Sequence, residues 1–340
     1  MNVSVTDPFG VKEDPELPTL SLALDPDLAQ RQFKRRLPRL AGDQGLVYLE
    51  AIRVTRHKPG RRCVLEYDVR VERPDAPAES LTLIGKIRAR RFGKADHRLL
   101  DNIWRAGLRS DSPDGVSVPE PIGVVPRFHM WLQRKVPGEI STSRLLEPEG
   151  VALAARIAEA VHKLHRAGVR TERRHAMRDE LRILREHLPL VARDRPDWQP
   201  RLRGILEACD GLGATVSEPP TCGIHRDFYS AQVIVEQGRI WLLDFDLYCR
   251  GDAALDIGNF IGHLTEQSLR TFGDPAALAD REKAMEERFV ELAGKAARPR
   301  VRAYATLTLV RHIYLSTRTA ERSPWTERLI QLCEQRLGAL

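Results

Sequence analysis

Two hydrophobic patterns divide the chain: strand-like alternation fills much of the first 140 residues, and helical spacing dominates the rest. β-branched and aromatic residues are concentrated in LVYLEAIRVTRH (46–57) and RCVLEYDVRVE (62–72), and the turn-forming letters KPGR lie between the two runs. This arrangement predicts an antiparallel hairpin. A third strand is predicted in LTLIGKIRAR (81–90).

Helical spacing first appears in DHRLLDNIWRAGL (96–108), where five apolar residues share one face. Two short strands bounded by prolines are predicted within 118–138. From residue 150 onward the pattern is mostly helical, and the stripe in GVALAARIAEAVHKLHRAGV (150–169) is typical of core packing. The exception is a second hairpin, predicted from QVIV (232–235) and RIWLLDF (239–245).

These elements predict an α+β fold with three parts. Residues 1–25 contain many Pro and Asp and no periodicity, so we expect an extended arm there. Residues 26–136 form a small β-rich lobe with a hinge near its end, at 133–138. Residues 137–340 form a larger helical lobe that carries the second hairpin.

The composition is that of a soluble globular chain, with 42% hydrophobic and 30% charged residues over a length of 340. No window approaches the roughly 20 apolar residues of a membrane span, and no secretory signal pattern opens the sequence. The five cysteines are widely spaced and lack a CxxC motif, which favours reduced thiols over zinc ligands. We therefore expect a cytoplasmic protein that does not bind membranes.

The net charge of +7 is a modest excess for this length, and the arginines are scattered with little aromatic interleaving. Proteins that bind single-stranded nucleic acid instead place stacking rings along a basic groove. Nucleic acid is therefore an improbable partner.

Four polar side chains interrupt apolar runs in HRDFYSAQVIVEQGRIWLLDFD (225–246). Asp227 and Gln232 precede one predicted strand, and Asp244 follows its partner strand, so the hairpin brings them to one edge. Burying carboxylates without partners is costly, which indicates a cation or a strong donor network. Magnesium takes oxygen ligands that it usually shares with phosphates, and one carboxylate and one amide suffice on the protein side. Asp227 would remain free to accept a proton.

Three motifs, HRDFYSAQ (225–232), LLDFD (242–246) and GDAALDIGNFIGHL (251–264), resemble the catalytic core of the aminoglycoside phosphotransferase and choline kinase-like superfamily in order and spacing. The members of this superfamily are small-molecule relatives of the protein kinases. The resemblance spans about residues 45–320. It implies a two-lobed, protein-kinase-like fold and transfer of the γ-phosphate of ATP or GTP to a hydroxyl of a small molecule.

The resemblance also implies roles for the motif residues. Asp227 would be the catalytic base, and His225 would support its loop. Gln232 and Asp244 would be magnesium ligands, and Asp246 would be a second metal contact or a residue that shapes the turn. Asp256 is expected to cap the helix that follows and to accept hydrogen bonds from the catalytic-loop backbone.

In the N-terminal lobe, the resemblance implies that Lys86, on the third predicted strand, pairs with the α and β phosphates. The expected glutamate partner is missing from FGKADHRLLD (92–101), so Asp96 and Asp101 are both open candidates. An ordinary surface lysine is the alternative for Lys86.

Two further segments are expected to meet the nucleotide. The turn HKPGRRC (57–63) is the candidate phosphate cover through Gly60, although it has a single glycine and a plain tight turn is the alternative. The segment MWLQRKVPG (130–138) resembles the kinase linker, which would use the Arg134 carbonyl and the Val136 amide to bind adenine.

Three departures from the family pattern support an alternative: Gln232 replaces the usual Asn, the turn is poor in glycine, and the helix glutamate is missing. The alternative is a catalytically silent nucleotide-binding or scaffolding protein of the same fold. Protein kinase activity is less well supported, because no activation loop fits between Asp246 and Asp256.

The acceptor is not identified by the sequence. The arginine-rich segment RTERRHAMRDELRILREH (170–187) is unsuited to cationic acceptors and favours a neutral or anionic metabolite, such as a sugar or a phosphorylated compound. An aminoglycoside, choline or an amino alcohol remains an open alternative, and the sequence does not indicate the oligomeric state.

Overall fold

The computed structural model describes residues 3–42, 44–74, 76–89, 92–217 and 219–338. It confirms the predicted α+β class. The chain separates into two compact units, Met1–Pro137 and Gly138–Leu340.

The strands of the N-terminal unit are β1 Ser4–Thr6, β2 Leu46–Lys58, β3 Arg62–Arg73, β4 Ala76–Arg88, β5 Val116–Ser117, β6 Pro121–Val125 and β7 Met130–Arg134. Six of them form a sheet in the order β1-β2-β3-β4-β7-β6. β1 is parallel to β2 and the other pairs are antiparallel. The predicted strands are all present, although Arg90, at the end of the third predicted strand, lies outside the described residues.

Four helices accompany this sheet: α1 Leu20–Ala23, α2 Pro26–Arg36, α3 Pro38–Ala41 and α4 Lys94–Arg105. The start of α2 follows from local chemistry, because the Asp25 side chain accepts a hydrogen bond from the Leu28 amide at 2.9 Å and proline occupies the first helical position. α2 packs on β2 and buries Phe33 against Tyr67 of β3, with ring centroids 4.9 Å apart.

The structure differs from the extended arm expected over residues 1–25. β1 pairs with β2, and Val11, Leu17 and Leu20 are buried in the same hydrophobic core as the sheet. The Tyr67 hydroxyl donates to the Ala23 carbonyl at 3.0 Å. The segment supplies single apolar side chains from several short elements, so it folds onto the sheet without any periodicity that the sequence would show.

The C-terminal unit is mainly helical, as predicted. Its helices are α5 Ser141–Arg144, α6 Gly150–Arg166, α7 Met177–Asp194, α8 Gln199–Thr215, α9 Ala253–Phe272, α10 Ala279–Ala293, α11 Arg298–Ser316 and α12 Thr326–Gly338. Its strands are β8 Glu139–Ile140, β9 Cys222–Ile224, β10 Val233–Glu236, β11 Arg239–Leu242 and β12 Cys249–Gly251.

Two strand pairings of this unit frame the polar segment. β10 and β11 form the predicted hairpin, in which Val233 pairs with Leu242 and Glu236 with Arg239. β9 and β12 pair antiparallel, so that Ile224 lies opposite Cys249. The loop between β9 and β10 and the turn between β11 and β12 therefore emerge from neighbouring strands.

Close contact between α9 and α11 organises the core of the unit. A Cβ atom at Gly258 would lie 2.5 Å from the Tyr304 Cβ, and one at Gly262 would lie 2.7 Å from the Thr308 Cβ. These glycines let the two helices approach at short range. In the part of the chain that the structure describes, no helix combines the length and the apolar character needed to cross a membrane.

Candidate active site

The loop between β9 and β10, residues 225–232, is the segment for which the sequence predicts a catalytic loop, and we refer to it by that name. It ends in a 3₁₀ turn at Ser230–Gln232, after which β10 begins. The Leu243 amide donates to the Gln232 carbonyl at 2.9 Å, which extends the hairpin by one pair. Gln232, which is buried, and Asp244 therefore lie at the same end of the hairpin. Asp227 lies in the same loop and is half-buried.

His225 ties the catalytic loop to the turn that carries Asp244. Its ring is fully buried, and its Nε2 lies 2.6 Å from the Leu243 carbonyl oxygen. A carbonyl can only accept, so Nε2 carries the proton. The ring also packs against Phe228 and Phe245, with centroids 5.5 and 5.1 Å away. This arrangement supports the predicted loop-supporting role.

Asp256 anchors the backbone of the catalytic loop. Its side chain is fully buried and accepts hydrogen bonds from the His225 amide at 2.8 Å and the Arg226 amide at 2.6 Å. His165 of α6 adds a third contact at 2.8 Å. Arg226 has a positive φ of 72°, a conformation that the two amide bonds hold in place.

The expected helix-capping role of Asp256 is wrong. α9 begins at Ala253, and Asp252 is its cap, with its carboxylate accepting from the Ala254 amide at 3.0 Å. Asp256 lies within the first turn instead, and its side chain is directed to the catalytic loop. The apolar residues that follow Asp256 predict a helix that begins after it, whereas α9 already begins at Ala253.

A second anchor was not found from the sequence. Asn259 donates from Nδ2 to the Phe228 carbonyl at 2.8 Å, and its Oδ1 accepts from Arg311. Arg311 also pairs with the buried Glu180 at 3.2 Å. The only sequence signal for Asn259 is a single amide in the otherwise apolar run IGNFIG (257–262).

His175 completes this network at 2.6 Å from Glu180. Burial raises the pKa of the Glu180 carboxyl, but the His175 hydrogen bond and the Arg311 charge outweigh it and lower the pKa overall. Glu180 is therefore a carboxylate, and the network holds the loop backbone at Phe228, next to Asp227.

The Asp244 side chain has the properties expected of a metal ligand. Its backbone is left-handed, with φ 59° and ψ 70°. Its Oδ1 atom is buried and has no hydrogen-bond partner among the described residues. A buried carboxylate oxygen without a donor is costly, and a cation would satisfy it.

The residues present fit a magnesium ion that is shared with a nucleotide. Asp244 offers a carboxylate oxygen and Gln232 an amide oxygen at the same end of the hairpin. Among the described residues no group of three or more His, Cys, Asp or Glu side chains is placed to hold a metal. A site completed by phosphates needs fewer protein ligands than that. The Asp246 carbonyl accepts a hydrogen bond from the Arg173 guanidinium at 2.8 Å, and the metal contact predicted for the Asp246 side chain stays a prediction.

Lys86 lies in the middle of β4, opposite Trp131 of β7. Its Nζ is 5.0 Å from the centroid of the Trp131 ring. Of the two candidate partners, Asp101 is held by Arg39 at 2.7 Å and Arg105 at 2.8 Å. Asp96, in the first turn of α4, is buried, and we propose it as the partner of Lys86.

Gly60 occupies the turn between β2 and β3 with φ +65°. Its amide donates to the Asp14 carboxylate at 2.9 Å, and the same oxygen lies 2.8 Å from the His57 Nε2. The expectation that this amide is free to cover a phosphate therefore does not hold in this structure. The physical reason is the N-terminal segment, which brings a carboxylate to the turn.

Arg134 and Val136 lie at the end of β7 and just after it. The Arg134 amide donates to the Glu120 carbonyl at 2.9 Å, and its guanidinium pairs with Glu79 at 2.6 Å. The Arg134 side chain is thus occupied within its own unit. The adenine contacts that the resemblance implies would come from the backbone, and they stay a prediction.

The contact of Asp14 with the turn should make stability depend on pH. Burial raises the pKa of Asp14, but the hydrogen bonds from Gly60 and His57 outweigh it and lower the pKa overall. A carboxyl whose pKa is lower in the folded state stabilises the protein at pH values above its ordinary pKa of about 3.9. This stabilisation is lost as the pH falls through the lowered pKa of the folded state. We expect Asp14→Asn to be about 1–2 kcal/mol less stable at pH 7.

The difference between wild type and Asp14→Asn should begin to shrink as the pH falls below about 3.9, the ordinary pKa of the carboxyl in the unfolded chain, and should be lost as the pH falls through the lowered folded pKa. Urea unfolding at pH 7, 5 and 3.5 measures it, with the exposed Asp111→Asn as the control. A difference that is the same at all three values would show that the Asp14 charge is not involved.

Comparison with known proteins identifies the family. Residues 69–304 match the model of the phosphotransferase enzyme family (APH), well over half of the chain. This chain belongs to that family. The matched range contains the predicted catalytic loop, the hairpin and all of α9, so the predicted resemblance is confirmed. A comparison with curated proteins found no match.

Several solved structures share the fold of this chain at low sequence identity. A choline/ethanolamine kinase family protein from Mesorhizobium loti is 15% identical, with a TM-score of 0.57 over 94% of this chain and 93% of its own. A thermostable mutant of the aminoglycoside phosphotransferase APH(4)-Ia is 15% identical, with a TM-score of 0.55 over 86% and 95%. The amicoumacin kinase hAmiN is 16% identical, with a TM-score of 0.55 over 83% and 88%. The predicted protein-kinase-like fold is confirmed.

Proposed function

We propose that the protein is a small-molecule kinase that transfers the γ-phosphate of ATP or GTP to a hydroxyl group with the help of magnesium. One observation carries the proposal. The buried Oδ1 of Asp244 lacks a partner among the described residues, and it lies at the hairpin end shared with Gln232, next to the loop of Asp227. The family membership supports phosphotransfer as the chemistry.

In the proposed reaction, the acceptor oxygen bonds to the γ-phosphorus as the bond from phosphorus to the β–γ bridging oxygen breaks. The nucleoside diphosphate leaves, and the proton of the acceptor hydroxyl passes to Asp227. Bound magnesium would neutralise the charge that develops on the phosphates. Asp244 and Gln232 would hold the ion, and Asp246 would add a second contact or shape the turn.

Positioning dominates the barrier to phosphoryl transfer, so the rigidity of the catalytic loop matters. Asp256 and Asn259 fix its backbone on either side of Asp227, and His225 fixes it to the turn of Asp244. In the N-terminal unit, we propose that Lys86 contacts the α and β phosphates and that the Arg134 carbonyl and Val136 amide meet the base.

The acceptor is proposed to be a neutral or anionic small molecule. The names of structural relatives indicate varied acceptors: one is a glucosamine kinase, and another was solved with AMP-PNP and hygromycin B.

All five cysteines of this chain are free thiols, which is consistent with the reducing cytoplasm that we propose as its location.

A catalytically silent nucleotide-binding protein is the second candidate, and one observation favours it. The Gly60 amide, which would cover a phosphate, already donates to Asp14. Nucleotide binding would then require this turn to rearrange or would proceed without it.

Phosphate transfer from γ-labelled ATP or GTP tests the proposal. The purified protein is incubated with magnesium and three acceptor groups: neutral sugars, phosphorylated or carboxylated sugars, and cationic amino sugars with amino alcohols. We expect transfer to at least one acceptor and predict that it lies in the first two groups. Binding of nucleotide with no transfer and no hydrolysis in any group would support the silent protein instead.

A further inference from the structure

A cavity of about 200 Å³ lies within the C-terminal unit, and its lining includes none of Asp227, Gln232, Asp244 and Asp246. It is formed where β9 begins, β12 ends and α7 begins. Its wall includes three arginines, Arg174, Arg178 and Arg250, and the hydroxyl residues Ser217 and Thr221. We call it the arginine cavity. Its volume exceeds the roughly 30 Å³ share of one water several-fold, so it has room for a small organic molecule.

None of the three arginines forms an ion pair with a carboxylate of the described residues. Arginines elsewhere in the unit are commonly ion-paired: Arg182 meets Glu186 at 2.8 Å, and Arg185 meets Asp210 at 2.6 Å. On the cavity wall, the Arg250 guanidinium donates to a neutral group, the Thr221 hydroxyl, at 3.0 Å.

The acidic groups near the cavity are already occupied. Asp252 lines it, but its carboxylate pairs with Arg300 at 3.0 Å and caps α9. Asp179 at the start of α7 accepts from the Ala176 amide at 2.9 Å. The cavity therefore keeps a positive excess, to which the N-terminal end of α7 adds a partial positive charge.

Clustered guanidinium groups with neighbouring hydroxyls are suited to phosphate or carboxylate, whose oxygens accept several hydrogen bonds at once. We propose that the arginine cavity binds a small anion through a phosphate or carboxylate group. This site goes beyond the proposed kinase function, because its occupation requires neither nucleotide nor magnesium.

The cavity is linked to the proposed metal-binding turn through the backbone. Arg173, next to Arg174, donates from its guanidinium to the Asp246 carbonyl at 2.8 Å. The Arg173 carbonyl in turn accepts from the Arg250 amide at 2.8 Å. An anion in the cavity would therefore stabilise residues that contact this turn directly.

Thermal unfolding without nucleotide or magnesium tests the proposal, with inorganic phosphate and malonate titrated separately at constant ionic strength. We expect at least one of them to raise the Tm of the wild type in a saturable way. The apparent affinity should fall at least tenfold in Arg250→Gln and in Arg178→Gln. Arg182→Gln, on the same helix but ion-paired to Glu186, is the matched control and should titrate like the wild type.

Comparing the phosphate titration with the malonate titration shows whether the cavity prefers a phosphate or a carboxylate group. A saturable rise in Tm with either anion supports the site. A linear response that is equal in all variants, or no response to either anion, would overturn the proposal. So would a saturable response that is lost in Lys86→Ala but retained in both cavity variants, because the anion would then occupy the proposed nucleotide site. Asp227→Asn should bind the anion normally, so a failed kinase assay leaves this test unaffected.

Discussion

Replacing Asp227 with Asn should lower phosphate transfer by about 10²–10⁴-fold and leave nucleotide binding nearly unchanged. The amide is close in size to the carboxylate but cannot accept the proton of the acceptor hydroxyl. The side chain is only half-buried and the amide has nearly the same shape, so the substitution should not alter the fold. The loss would therefore reside in kcat, with the KM for nucleotide largely retained.

The measurement is steady-state transfer to the best acceptor from the panel, together with titration of AMP-PNP. The exposed Asp197→Asn, in the same unit, controls for the change of charge. Turnover of Asp227→Asn within about threefold of the wild type would exclude the assigned role as base.

Replacing Asp256 with Ala should destabilise the protein by roughly 3–5 kcal/mol and abolish activity. The carboxylate is fully buried and serves three donors: the amides of His225 and Arg226 and the ring of His165. Its removal leaves these donors without an acceptor, and the positive φ of Arg226 loses its support. Asp256→Asn keeps one acceptor oxygen and should cost less than the alanine variant.

Urea unfolding at pH 7 gives the free energy of unfolding for both variants, with the exposed Asp197→Ala as the control. A loss below about 1 kcal/mol for Asp256→Ala would mean that water replaces the carboxylate and that the loop is not anchored in this way.

The parts of the fold that depend on neighbouring residues could be predicted from the sequence. Both hairpins follow from the alternation of apolar residues and from the turn-forming residues between the strands. Asp227, Gln232 and Asp244 lie in one segment of 18 residues that the second hairpin folds back on itself. The loop-supporting role of His225 followed from the family resemblance, and its contact with Leu243 supports it.

The parts that depend on distant residues could not be predicted. Asp14 meets the Gly60 turn across 46 positions, and Arg311 meets Glu180 across 131. No local sequence pattern predicts contacts between residues that lie so far apart in the chain. The start of α9 was misplaced for a different reason: Asp252 and Asp256 are both plausible caps one turn apart, and only the packing shows which one turns toward the catalytic loop.

The central claim is that Asp244 holds a magnesium ion for a bound nucleotide. Isothermal titration of AMP-PNP into the wild type and into Asp244→Ala, each with and without magnesium, tests it directly. We predict that magnesium raises the affinity of the wild type at least tenfold and has almost no effect on the variant. Equal magnesium dependence in the two proteins would contradict the claim, because the ion would then be bound without Asp244.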